Sequence, residues 1–142
     1  NFLLLILMKA RILTILIGLC SLTQAQTLNV IASHTLEKQL ATDDIKSIFI
    51  GEHSFWEDGK PICVVLPHSK TASFDLTANW ALESDGFEYQ KHWLSLVFQG
   101  RANAPVFVKD EVDIIDFVTH NEGCIGVLHF NLAPSALRLT LK

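Results

Sequence analysis

Between Leu28 and Phe130 short apolar runs alternate with segments whose apolar residues recur at helical spacing, and this alternation constrains the fold more than any other feature. Leu28 to Ala32, Ile62 to Leu66, Val106 to Val108 and Cys124 to Phe130 read as strands, and Leu137 to Leu141 alternates like a final edge strand. The run from Ile62 to Leu66 is continuously apolar, which suits a strand covered on both faces. Thr42-Asp43-Asp44 supplies a cap and first-turn acids for a helix carrying Ile45, Ile48 and Phe49, and Gly51 ends it. Trp56 to Pro61 reads as a turn, with Gly59 free to take a positive φ. Phe74, Thr77, Ala78, Ala81 and Leu82 share one helical face, and Tyr89, Trp93, Leu96 and Val97 form a second stripe closed by Gly100. Asp110-Glu111 open a last helix with Val112, Ile115, Val118 and Thr119 inward, and Asn121-Glu122-Gly123 stop it. Strands and helices in turn predict an α/β domain with a mainly parallel sheet covered by helices.

The region before Leu28 reads differently. Met8 is the only methionine and is read as the start, with residues 1–7 as upstream extension. Lys9 and Arg11 form a basic segment, Ile12 to Leu22 an apolar one, and Thr23-Gln24-Ala25 ends in the pattern of a cleavage site. The apolar segment is about half the roughly 20 residues that span a bilayer. Residues 1–25 are therefore expected to be extension plus signal peptide, and residues 26–142 a periplasmic domain with no stable membrane insertion after cleavage. Leu19 before Cys20 argues against a lipoprotein, whose cysteine would be expected to follow Gly or Ala.

Removing residues 1–25 takes Lys9 and Arg11 but no acid, leaving 9 basic against 15 acidic residues, a net charge of −6. With no basic block to neutralise a phosphate backbone, nucleic acid is excluded as a partner class. The mature length suits one domain with one modest core. Cys63 and Cys124 remain, an even number in an oxidising compartment. They form either a bridge, worth about 4 kcal/mol on the chain-entropy model, or two buried thiols on neighbouring strands.

Few segments carry chemistry. His34, His53, His68, His92, His120 and His129 include no i, i+2 or i, i+4 pair, so no zinc site is expected. Asp110, Glu111, Asp113 and Asp116 read as acids complementing a helix dipole rather than as calcium ligands. No serine elbow is present and neither mature cysteine adjoins a helix start, so no catalytic residue, metal or cofactor is expected and the chain is not read as an enzyme. The suggestive segment is Pro67 to Phe74, which joins a buried strand to a helix start and holds His68, Ser69, Lys70, Thr71 and Ser73. Such a turn combines open N–H groups with the positive end of a helix, as an oxyanion site requires. The simpler alternative, favoured on general grounds because every helix needs a start, is that Ser69 or Thr71 only caps the helix and Lys70 is solvated.

Several segments in order resemble the phosphate-type periplasmic substrate-binding proteins, in a compact group that looks like one lobe of that two-lobed fold. They are Asp44 to Gly51, Trp56 to Gly59, Ile62 to Pro67, Ser73-Phe74, Trp93 to Gly100, and Gly123-Cys124-Ile125-Gly126-Val127. The resemblance implies a single-lobe type II binding-protein fold, association with an ABC transporter, and a ligand turn between the Cys63 strand and the Phe74 helix. In that turn Leu66 stands where the family has an arginine, His68 where it has an aspartate, and Lys70-Thr71-Ala72 where it has Ser-Gly-Thr, while Ser73 and Phe74 match. Two readings follow. One is weak binding of a small anion such as phosphate, alone or completed by a second subunit. The other is a non-catalytic module with a decayed pocket whose surface contacts another envelope protein.

Overall fold

The computed structural model describes residues 2–4, 28–33 and 40–130. The export signal read over Met8 to Ala25, Cys20, His34 and the edge strand read over Leu137 to Leu141 lie outside the described residues. The described chain is mixed α/β: β1 (Asn29–Ala32), α1 (Thr42–Phe49), β2 (Cys63–Pro67), α2 (Ala72–Leu82), α3 (Gly86–Phe98), β3 (Val106–Val108), α4 (Glu111–His120) and β4 (Cys124–Leu128).

The four strands form one sheet in the order β1-β4-β2-β3. β2 runs parallel to β3, with Val65 beside Val106, and parallel to β4, with Cys63 beside Cys124. β1 is antiparallel to β4, pairing Asn29 with Leu128 and Ala32 with Ile125. Alternation along the strands divides the core in two. Val64, Leu66, Ile125 and Val127 pack beneath Ile48 and Phe49 of α1, Phe74 and Ala78 of α2, and Tyr89 and Trp93 of α3. Ile31, Val65, Cys124 and Leu128 face Ile114 and Val118 of α4. The sheet thus carries helices on both faces, which explains why β2 and β4 are apolar throughout.

The helix starts follow local chemistry, with one correction. Thr42 does not cap α1. Ala41 holds the cap position without a side-chain bond of its own, and Asp44 reaches back to accept from the Ala41 amide at 3.2 Å. Asp85 caps α3 by accepting from the Glu88 amide at 2.8 Å. Asp110 caps α4 by accepting from the amides of Val112 and Asp113 at 3.0 and 3.1 Å. Gly51 follows α1 at φ +77, where a side chain would also meet Leu96 and the Trp93 ring.

α4 is rotated relative to the sequence expectation. Ile114 and Val118 are fully buried, whereas Val112 is 66% exposed and Thr119 points outward. The cause lies on another element, at Gly126 of β4. A Cβ there would overlap Cγ2 of Ile114, so the bare glycine makes the hollow that receives this isoleucine and sets the helix phase.

At the amino ends of β2 and β4 the packing is cross-linked. Cys63 and Cys124, directly opposite in register, are joined by a disulfide with Cα atoms 4.3 Å apart. Beside it the buried Trp56 ring donates from Nε1 to the Gly123 carbonyl at 3.0 Å, and the Cys63 amide donates to the same oxygen at 3.0 Å. Lys60 Nζ meets Glu122 Oε1 at 2.6 Å across the surface, and that carboxylate raises the lysine pKa.

Candidate functional site at the carboxyl end of the sheet

β2 ends at Pro67, and residues 68–71 turn the chain into α2. The Thr71 amide donates to the His68 carbonyl at 2.9 Å and closes the turn. The Thr71 hydroxyl then donates to the same carbonyl at 2.7 Å while accepting from the Phe74 amide and the Ser73 hydroxyl, each at 3.2 Å. One proton and two lone pairs are all a hydroxyl has, so Thr71 is fully used as the N-cap of α2. Ser73 spends its own proton on Thr71.

The rest of the turn stays open. His68 is exposed, and its Nδ1 accepts from the Lys70 amide at 3.2 Å. Lys70 is exposed and, among the described residues, its ammonium makes no ion pair. The Ser69 hydroxyl and the amides of Ser69, Ala72 and Ser73 likewise have no hydrogen-bond partner among the described residues. Asp75, the acid in the first turn of α2, is held by the Gly86 amide at 3.1 Å. The structure therefore places His68, Ser69, Lys70, Thr71 and Ser73 on one turn but divides them. Thr71 and Ser73 shape the helix start, whereas the half-buried Ser69 hydroxyl, the exposed Lys70 and the three amides take no part in the cap.

Three further residues join this end of the sheet, and the sequence reading did not include them in the site. Thr77, one turn into α2, donates to the Ser73 carbonyl at 2.9 Å and lies 2.9 Å from Nε2 of His129. His129 directly follows β4, and its amide donates to Glu111 Oε1 at 2.8 Å at the start of α4. With the Thr77 proton given to Ser73, His129 Nε2 is the donor in their contact. Burial pushes the half-buried imidazole pKa down, and the Glu111 charge pushes the other way. One signal was available: Thr77 is the polar member of an otherwise apolar inward stripe, and a fully buried hydroxyl requires a partner.

Among the described residues no group of three or more His, Cys, Asp or Glu is placed to hold a metal ion. No helix among them is long and apolar enough to cross a membrane.

No protein-family model and no curated protein matches the chain. Among solved structures it is similar to an ABC-type phosphate transport receptor from Vibrio cholerae, at 16% identity and a TM-score of 0.47. The match covers 77% of this chain and 43% of that one, so the chain spans less than half of the receptor's length.

Proposed function

We propose that residues 26–142 form an exported, single-lobe domain of the phosphate-type substrate-binding kind, non-catalytic, periplasmic after removal of residues 1–25, and associated with a transporter. Its β2–α2 turn takes a small oxyanion weakly. The observation that carries this reading is the open start of α2, where the Ser69, Ala72 and Ser73 amides lack acceptors beside Lys70 at the carboxyl end of a parallel strand. Helix starts attract anions through those N–H groups, and ligands of open α/β sheets gather at strand carboxyl ends. The order of motifs from Asp44 to Val127 supports the same assignment.

Weakness follows from the same residues. Leu66, at the family's arginine position, is fully buried in the core beneath Phe74, so that position supplies no guanidinium to the turn. A helix start contributes about 1 kcal/mol toward an anion and is screened by salt, whereas a millimolar dissociation constant needs about 4 kcal/mol. Titration with phosphate and sulfate, followed by amide NMR shifts, tests the reading. Saturation weaker than millimolar with shifts confined to Ser69 to Phe74 is expected. Shifts that map elsewhere, or micromolar binding by the monomer, would overturn it.

A second reading, a module that contacts another envelope protein, is favoured by two observations. The Thr71 and Ser73 hydroxyls are already spent on the helix cap. In addition, α3 turns Phe87, Leu94 and Phe98 toward solvent.

A further inference from the structure

α3 is apolar on two opposite sides. Tyr89, Trp93 and Leu96 are buried against the core. On the far side Phe87, Leu94 and Phe98 are 71%, 56% and 83% exposed. Their spacing of i, i+7 and i+11 aligns them in one stripe about 16 Å long, with Lys91 between them. Isolated exposed apolar residues are ordinary, but three aligned on one helix form a patch of the kind that marks a contact surface.

The stripe and its flanking charges are self-complementary. Read outward from the midpoint between His92 and Trp93, Phe87 and Phe98 lie at equal distances on either side, as do Lys91 and Leu94. The charges are split by end. Glu83, Asp85 and Glu88 surround the start of α3, with Lys91 in the same half, its Nζ 3.9 Å from Glu88 Oε1, while residues 92–109 contain Arg101 and Lys109 and no acid. Glu83 and Arg101 are both exposed, and among the described residues the Arg101 guanidinium reaches only Gln99 Oε1, at 3.5 Å. A parallel neighbour would set like charges side by side. An antiparallel copy related by a two-fold axis sets each Phe87 on the partner's Phe98 and the Lys91 stem over the partner's Leu94, and brings the acidic start of one helix, with Glu83, beside the end of the partner's helix, with Arg101. That is the reciprocal pattern an isologous contact requires.

We propose that the outward face of α3 is a homodimer contact, on which two copies of this chain pair antiparallel about an axis at the middle of the helix. It does not depend on whether the β2–α2 turn takes an anion. An anionic lipid surface fits less well, because the acidic start of α3 would be held against it.

Sedimentation velocity of the exported protein over a wide concentration range tests the contact. A reversible monomer–dimer equilibrium is expected, weakened about tenfold or more by Phe87→Glu or Phe98→Glu, a change of about 1.4 kcal/mol. Circular dichroism should show both variants folded, since each side chain is exposed. Arg101→Glu alone should weaken the dimer, and adding Glu83→Arg in the same chain should restore it. A protein that stays monomeric at several hundred micromolar, or a dimer indifferent to the phenylalanine variants, would overturn the proposal. So would failure of Glu83→Arg to restore the Arg101→Glu variant, or co-flotation with phosphatidylglycerol vesicles lost on Phe98→Glu in place of a dimer. Phosphate titration of Phe98→Glu separates the two hypotheses, because the β2–α2 turn is untouched by that change.

Discussion

The two ends of the sheet are built on opposite plans. At the amino ends of β2 and β4, polar groups and sulfurs are paired within the chain. Cys63 is bonded to Cys124, Gly123 O accepts from both Trp56 and Cys63, and Ser33 Oγ donates to Asn121 O at 2.5 Å while accepting from the Cys124 amide at 3.2 Å. At the carboxyl ends the chain leaves the Ser69, Ala72 and Ser73 amides open and gathers titratable groups around Thr77. On the function proposed above, the difference separates stability from recognition. Hydrogen-bonding capacity satisfied internally holds the fold together, and capacity left open is what a ligand can use.

The contrast breaks most visibly if the closed end is opened. Replacing both cysteines, Cys63→Ala with Cys124→Ala, should cost about 3 to 4 kcal/mol of unfolding free energy. Urea denaturation read by tryptophan fluorescence measures it, and the shifts phosphate causes at Ser69 to Phe74 should survive below the transition. A smaller loss is expected from Trp56→Phe, which keeps the ring but removes the indole proton. Because Gly123 O retains the Cys63 amide, the cost should be about 1 kcal/mol, seen as a lower denaturation midpoint.

The smallest effect belongs to the open end and depends on pH. Burial lowers the His129 pKa in the folded state, so the unfolded chain binds the proton more readily. Stability from this group is present above the unfolded value of about 6.5 and is lost as pH falls through the lower folded value. His129→Gln keeps a donor for Thr77 without a titrating proton, and its stability should fall less steeply than the parent's below neutrality. Equal slopes in a pH series of thermal melts would remove His129 from the account.

What could be read from sequence follows the range of the interaction involved. Strand runs and helical stripes depend on neighbours within a few residues, and β2, β3, α2 and α3 lie where periodicity put them. The aspartate caps of α3 and α4 are equally local. The phase of α4 was missed by placing Val112 and Thr119 inward and leaving out Ile114, which Gly126 of β4 receives although Ile114, Ile115 and Val118 share one helical arc. The site divides the same way. The turn from His68 to Ser73 was visible as hydroxyls before a helix stripe, whereas the contact between Thr77 and His129 joins residues 52 positions apart and required the sheet order to exist. The antiparallel direction of β1 is likewise a consequence of pairing with β4, not of the composition of Asn29 to Ala32.

The bond between Cys63 and Cys124 spans 61 positions of sequence and closes β2, α2, α3, β3, α4 and the first residue of β4 into a covalent ring. A protease that cuts once inside the ring, for instance at the exposed His68–Lys70 turn, opens it into a chain whose two pieces remain tied. Such a nicked molecule would run as one species until a reductant separates it into two. A domain built this way can be cut once within its β2–α2 turn and still keep its strands in register.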